Sequence, residues 1–373
     1  MRRWPRGFFS TGISLSRTHS LPLKRQLASW SDDRVKMNNV IHGHAKVGRV
    51  DGAERVRARM ETLGMVPDLK AFTALLVAYA KSGLPDEAER VLREMEAAGV
   101  VPDVVAFTAL IDAYAKLGQP EHADGVVARM ATVGVAPNLV TFTSVLEAHV
   151  RAQNFEALEG MFVRMEAAGI VPDKVAFNLA ISACCSAEKP DLAEKLVARM
   201  TGHNLAPDVK VYTQLINAYA QTGERMADAE KVLERMQAAG VAPNVATFNS
   251  IINGYTKSGE PDRAEAMLVE MYRRSISPDS VTIGSVLNCL ARQGLGERAE
   301  KILDLSEDLG VPLNTVNFNF AIRASVDNLQ RALRIHERMV EHGLRPDAFT
   351  KKYLQVARQG GWGRKSGNKR KGP

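Results

Sequence analysis

Nine acids or amides recur at nearly constant intervals along the chain: Asp68, Asp103, Asn138, Asp173, Asp208, Asn244, Asp279, Asn314 and Asp347. All but Asn314 directly follow a proline. Some thirty residues upstream of each lies a second small polar residue, namely Asn38, Thr73, Thr108, Thr143, Asn178, Thr213, Asn249 and Asn319, with Gly284 as the exception. An ionised Asp only accepts hydrogen bonds, whereas Asn also donates. On their pairing edges uracil and guanine offer a ring N–H, and adenine and cytosine a ring acceptor. Asp therefore suits U or G, and Asn suits A or C. The chemistry is hydrogen-bond readout of a flat polar edge, with no bond broken.

Two further series run with the first. Counting from the residue after each acid or amide, the small polar residues hold position five. Position two carries Val35, Val105, Val140, Val175, Val281 and Val316, and position thirteen carries Lys46, Lys81, Lys116, Arg151, Lys257 and Arg292. Positions two, five, nine and thirteen are separated by three, four and four, so on a helix they share one face. That face offers an apolar platform, a short hydrogen-bonding group and a cation. Bases wedged between successive valines, with cations on the phosphates, make a groove for a single strand. The bland readings compete at each residue. Asp or Asn after Pro is a common N-cap, and Lys just before Gly is a dipole partner at a helix C-terminus. Both roles can hold at once.

Catalytic chemistry finds no support in the residues. His42, His44, His122, His149, His203, His336 and His342 form no metalloprotease spacing, and no Gly-rich phosphate loop is present. His42 and His44 stand two apart and cannot share a helix face. Cys184, Cys185 and Cys289 match no zinc spacing, and their odd count argues against a disulfide framework. They read as small core residues in a reducing compartment. No cofactor or metal is expected.

The elements that position these series are a repeat. Residues 69–103 are copied almost word for word by 104–138, and Met60, Met95, Met130, Met165, Met200, Met236 and Met271 keep the same step. A fixed period in this range marks a solenoid. Apolar Phe72, Leu75, Leu76 and Tyr79 follow the stripe of an amphipathic helix, which Gly83 closes in a left-handed conformation. Pro85-Asp86-Glu87 opens a second helix, with Pro in the first turn and acids against the dipole. Its buried stripe is Ala88, Val91, Leu92 and Met95. The small residue at Ala88 recurs at Ala53, Ala123, Ala193, Ala229, Ala264 and Ala299, where two helices approach closely. Units run 34–68, 69–103, 104–138, 139–173, 174–208, 209–244, 245–279, 280–314 and 315–347. The sixth has one extra residue near Arg225–Ala227, and the ninth is two residues short near Ala324–Asp327. Residues 348–357 are expected to form a helix that caps the array.

Charge is informative only after division. Residues 1–30 and 358–373 hold six basic residues each and no acids. Removing those twelve from 49 Lys and Arg leaves 37 against 42 Asp and Glu, so the middle of the chain is net acidic. The overall +7 is thus no argument for nucleic acid. An Arg-rich, Ser-rich, acid-poor stretch over 1–30 has the composition of an organelle transit peptide. Its Arg6-Gly-Phe-Phe-Ser resembles mitochondrial cleavage sites, favouring mitochondrion over plastid. The tail 358–373 reads as disordered. No stretch is long and apolar enough for a membrane span.

The unit resembles the pentatricopeptide repeat. Val104-Val-Ala-Phe-Thr-Ala-Leu-Ile-Asp-Ala-Tyr-Ala-Lys and Val245-Ala-Thr-Phe-Asn-Ser-Ile-Ile-Asn-Gly-Tyr-Thr-Lys follow its pattern, as do the Met, Gly and Pro-Asp or Pro-Asn that close most units. The tetratricopeptide alternative needs an early Trp that the units lack. The resemblance covers roughly 34–347 and implies an all-α, right-handed superhelical α-solenoid of antiparallel helix-turn-helix repeats. It also implies an organellar protein that reads single-stranded RNA one base per repeat. By the family's pairing rules, Thr at position five favours purines and Asn pyrimidines. The pairs then read U-G-A-G-U-A-U-(undetermined)-U from the N-terminal unit. Some members carry catalytic extensions, but here the repeats consume nearly the whole chain. The expected action is occupancy of a transcript, with recruited processing or translation factors as further partners. A protein-binding scaffold using the same groove is the alternative.

Overall fold

Every described element is a helix. The structure, a computed structural model, describes residues 21–361. Residues 1–20 of the expected address over 1–30, and residues 362–373 of the tail expected over 358–373, lie outside those residues. The contacts divide the chain into two units, ending and resuming at Ala180 and Ile181. In the first unit, α1 (Leu21–Lys46), α3 (Leu69–Ser82), α5 (Val104–Lys116) and α7 (Leu139–Arg151) are the first helices of their repeats. They alternate with α2 (Val50–Thr62), α4 (Pro85–Ala97), α6 (Pro120–Thr132) and α8 (Glu156–Ala167). The boundary falls inside α9 (Lys174–Ser186). The second unit continues with α10 (Pro190–Gly202), α11 (Val209–Ala220), α12 (Met226–Ala238), α13 (Val245–Ser258) and α14 (Pro261–Arg273). It closes with α15 (Ser280–Gln293), α16 (Gly296–Asp308), α17 (Thr315–Ala324), α18 (Leu329–Glu341) and α19 (Ala348–Arg358). The chain is an all-α helical repeat solenoid.

The first helices form a continuous row within each unit. In the first, α1 packs on α3, α3 on α5 and α5 on α7; in the second, α11 packs on α13, α13 on α15 and α15 on α17. Second helices pack against their own first helix and the next one, as α4 does on α3 and α5. The expected small residues lie at these crossings: Ala53, Ala88, Ala123, Ala193, Ala229, Ala264 and Ala299 are all 0% exposed. So are the seven methionines of the repeat ruler. A side chain larger than Ala at a packed crossing strains the backbone.

Turn chemistry follows the sequence with two informative departures. Gly83, Gly118, Gly223, Gly259 and Gly294 adopt positive φ after their first helices. The fourth and fifth repeats place Gln153 and Glu188 there, each at φ 56°. The extra residue of the sixth unit sits in the turn after Gly223, where Arg225 pairs with Asp191 at 2.8 Å and lies 4.6 Å over the Tyr219 ring. The two missing residues of the ninth shorten α17 to ten residues. Helix α1 begins at Leu21, so residues 21–30 are helical. Leu, Lys, Arg, Gln and Ala in that stretch are good helix formers, and Pro22 is tolerated in the first turn.

Candidate nucleic-acid interface

The nine closing residues all cap the helix that follows. Asp68, Asp103, Asn138, Asp173, Asp208, Asn244, Asp279, Asn314 and Asp347 each accept, through Oδ1, the N–H three residues on, at 2.7–3.1 Å. The capping role is therefore real at every repeat. It also sharpens the chemical difference between the two residue types. With Oδ1 in the cap, Asp keeps its second carboxylate oxygen outside it, an acceptor. Asn in the same pose keeps Nδ2 outside it, a donor.

Position five lies beside this cap. Asn249 Nδ2 donates to Asp279 Oδ1 at 3.3 Å, and Asn319 Nδ2 reaches both Asp347 oxygens at 3.1 Å. Asn38 Oδ1 accepts the Asp68 N–H at 3.5 Å. Thr108 and Thr213 instead meet hydroxyls of the next repeat, Thr141 at 2.9 Å and Thr247 at 2.8 Å. Thr143 donates to the Leu139 carbonyl of its own helix at 2.8 Å. Among the described residues, Thr73 Oγ1 and Asn178 Oδ1 are buried with no hydrogen-bond partner. Burial pushes the Asp279 and Asp347 carboxyls up, but hydrogen bonds from Thr282 and Asn249, and from Thr350 and Asn319, outweigh it. Both acids are held below their ordinary range, hence ionised.

Gly284 breaks the series. Asn314 spends its Nδ2 on Ser280 Oγ at 2.7 Å, and Ser280 Oγ donates to Asn317 Oδ1 at 2.8 Å. A Cβ on Gly284 would stand 2.9 Å from Asn317 Nδ2.

The valines of position two face solvent. Val35, Val105, Val140, Val175, Val281 and Val316 are 50–65% exposed, although each sits on a helix that buries an apolar stripe. Four of the six cations of position thirteen are engaged. Lys116 Nζ donates to the Lys81 carbonyl at 2.7 Å, Lys257 Nζ to the Gln221 carbonyl at 2.7 Å, and Arg292 to the Thr256 carbonyl at 2.9 Å. Each thus closes the C-terminus of the preceding repeat's first helix, where a positive charge is favoured. Arg151 differs: it forks onto Glu147 Oε1 at 2.7 and 2.9 Å, which offsets its charge. Lys46 and Lys81 border a recess of about 610 Å3 in the first unit. Asp68, Lys70, Thr73, Asp103 and Val105 line the same recess, so the second repeat brings its positions two, five and thirteen and its closing acid together there.

The remaining candidates are inert. Cys184, Cys185 and Cys289 are buried and form no disulfide among the described residues, and burial pushes the Cys185 thiol up to about 12. His149 pairs with Asp124 at 3.1 Å and His342 with Glu307 at 2.9 Å. Among the described residues no group of three His, Cys, Asp or Glu could hold a metal, and no helix is long and apolar enough to cross a membrane. Sequence reasoning missed the threonines at position three: Thr141, Thr247, Thr282 and Thr350. Each completes a capping box and is 0% exposed. The recurrence of Thr at that position, against Ala71, Ala106 and Ala176 elsewhere, was the available signal.

Comparison with known proteins gives the array its kin. The pattern described as a pentatricopeptide repeat domain matches residues 90–148, 134–187, 195–258 and 301–354. Related repeat patterns match 243–292 and 36–65, 70–100, 175–205 and 281–311. No curated protein matches. Among solved structures, the pentatricopeptide repeat protein PPR10 from maize is 19% identical over 90% of this chain, with a TM-score of 0.58. This chain spans 58% of that structure's length. PPR10 in complex with an 18-nt psaJ RNA element aligns at 21% identity over 87% of this chain and 56% of that one, with a TM-score of 0.45. Yeast Rmd9p in complex with a 16-nt target RNA aligns at 10% identity over 91% and 85%, with a TM-score of 0.41. Repeat patterns covering more than half of the residues, on a solenoid of paired helices, establish that the chain belongs to the pentatricopeptide repeat family.

Proposed function

We propose that the chain binds single-stranded RNA, one base per repeat, and acts by occupying the transcript. The observation that carries this reading is the succession of half-exposed valines, each beside a capped Asp or Asn with an acceptor or donor outside the cap. Exposed apolar side chains at fixed spacing are costly in water and suit stacking against bases. A folded RNA lacks the separated bases that such spacing needs. Membership of the pentatricopeptide repeat family supports the same reading.

Occupancy serves a transcript in three ways: it blocks exonucleases, keeps a start site unpaired, or presents a bound processing or translation factor. The chain itself supplies no catalysis in this reading. The composition of residues 1–30 supports a mitochondrial location, and a fluorescent fusion to those residues distinguishes mitochondrion from plastid.

Binding of the full chain to 5′-UGAGUAUUU-3′ tests the reading, with a scrambled RNA of equal composition alongside. Preference for the first RNA, falling steeply with salt, is the expected result. Equal weak binding assigns RNA contact to the basic ends alone. Absence of binding at low salt removes the RNA reading and favours a protein-binding scaffold.

A further inference from the structure

Position three of a repeat touches position five of the repeat before it. Thr282 Oγ1 donates to Asn249 Oδ1 at 2.6 Å, and Thr350 Oγ1 to Asn319 Oδ1 at 2.6 Å. Thr141 and Thr247 meet Thr108 and Thr213 at 2.9 and 2.8 Å. Where position three is Ala106, the preceding Thr73 hydroxyl has no partner among the described residues. Where it is Ala176, the preceding Thr143 turns back onto its own helix.

A hydroxyl has one proton, and here its destination can be counted. Thr141 Oγ1 donates to Asn138 Oδ1 at 3.0 Å and accepts the Asn138 N–H at 3.3 Å. With that proton on Asn138, the contact with Thr108 uses the Thr108 proton, one of the two directions open to this hydroxyl pair. Thr108 is left with lone pairs only toward the groove. Asn138, its Oδ1 taken by the cap and by Thr141, turns Nδ2 outward. The same count holds for Thr213, Thr247 and Asn244, at 2.8, 3.0 and 3.3 Å. An acceptor beside a donor complements adenine, whose amino group lies next to a ring acceptor. Guanine presents the reverse pair, a carbonyl next to a ring N–H. Thr73, in the repeat closed by Asp103, faces no such hydroxyl and can turn a proton toward that carbonyl, whereas Thr143, in the repeat closed by Asp173, gives its proton to Leu139. For Asn249 and Asn319 the hydroxyl engages the amide oxygen, so the amide points donors at its acid.

We infer that a threonine at position three is a specificity-determining, positioning residue for the preceding repeat, because it fixes whether that repeat's position-five side chain accepts or donates. The inference rests on the RNA reading proposed above. Thr141 itself is fully buried, so it acts through Thr108 and Asn138.

The test is fluorescence anisotropy of the full chain with 5′-UGAGUAUUU-3′ and its single-base variants at the second and third nucleotides. The wild type is expected to prefer A over G at the third. Thr141→Ala should lower that ratio roughly three- to tenfold, the worth of one hydrogen bond, and leave the other positions unchanged. Thr141→Ser keeps the hydroxyl and should keep the ratio. Conversely, Ala106→Thr should lower the G-over-A ratio at the second nucleotide by a similar factor. Thr fits the corresponding site in four other repeats, so this variant tests the inference even if Thr141→Ala unfolds. A wild-type base preference left unchanged by Thr141→Ala and Ala106→Thr overturns this inference alone. A wild type without any base preference overturns the RNA reading and, with it, this inference.

Discussion

Lys116 Nζ donates to the Lys81 carbonyl at 2.7 Å, so a cation expected on phosphate also closes the helix of the preceding repeat. One of its three donors is used, and the charge remains exposed on the groove face. Lys116→Ala should weaken binding about equally for all RNA sequences and lower the slope of log affinity against log salt by about one. Stability should change by less than about 0.5 kcal/mol, as for other exposed sites. An unchanged salt slope with a lower melting temperature would show a cap and nothing more.

Asp103 separates capping from base reading. Its Oδ1 accepts the Ala106 N–H at 2.8 Å, a bond that Asn makes equally well. Asp103→Asn should therefore preserve thermal stability yet shift the preference at the second nucleotide from G to A. Asp103→Ala should cost about 1 kcal/mol of stability by loss of the cap. If Asp103→Asn leaves the base profile intact, capping is the residue's whole role.

Gln153 and Glu188 adopt φ 56° at sites where Gly83 and Gly118 adopt 67° and 63°. A side chain in this region costs about 1–2 kcal/mol, partly offset by the lower entropy cost of ordering a non-glycine residue. Gln153→Gly and Glu188→Gly should each stabilise the fold by about 0.5–1 kcal/mol in thermal or urea unfolding. Asn204, at φ 58°, tolerates the conformation better, and Asn204→Gly should gain less. A lower melting temperature for both glycine variants would refute this account.

The array was legible in the sequence because Met, Ala, Gly and Pro recur for local reasons that need no tertiary knowledge. Met95 is buried, Ala88 is small at a crossing, Gly83 turns left-handed and Pro85 starts α4. The candidate groove rests on one helix face read from the spacing, on which Val105 and Val140 are exposed. Engagement across repeats was not legible. The reach of Lys116 to Lys81, or of Thr141 to Thr108, depends on how neighbouring helices are offset, which a repeat period does not specify. Helix α1 before Arg34 was hidden differently: a basic composition that suits an address also suits a helix.

Glu54 joins the first two repeats and makes part of their stability depend on pH. Tyr79 Oη donates to it at 2.6 Å, Arg57 at 2.7 Å and Arg90 at 3.2 Å, while both arginines also reach Glu94. Burial pushes the Glu54 carboxyl up, but these partners outweigh it and hold it below its ordinary value. A depressed native value adds stability above the unfolded-state pKa of about 4.3, lost as pH falls through the native value. Glu54→Gln should cost about 1.5–3 kcal/mol at pH 7, as for hydrogen bonds to a charged group. The gap between wild type and variant should narrow below about pH 4.3. A gap constant from pH 7 to pH 3 in urea titrations would remove the charge from the explanation.

Repeat 280–314 should read its nucleotide weakly. Gly284 offers no side chain, and Asn314 has given its Nδ2 to Ser280 at 2.7 Å. The four bases at the eighth nucleotide should differ in affinity by less than about threefold, under the worth of one good hydrogen bond. Restoring a reader requires three changes at once. Ser280→Val frees the Asn314 amide, and Asn317→Thr clears the nitrogen that stands 2.9 Å from a Cβ on Gly284. Gly284→Thr then supplies position five against a threonine, the arrangement of Thr108, Thr141 and Asn138. The triple variant should prefer adenine at the eighth nucleotide, whereas Gly284→Thr alone should clash and lower the melting temperature. A triple variant that folds yet stays indifferent to the eighth base would show that these three side chains do not suffice to read one.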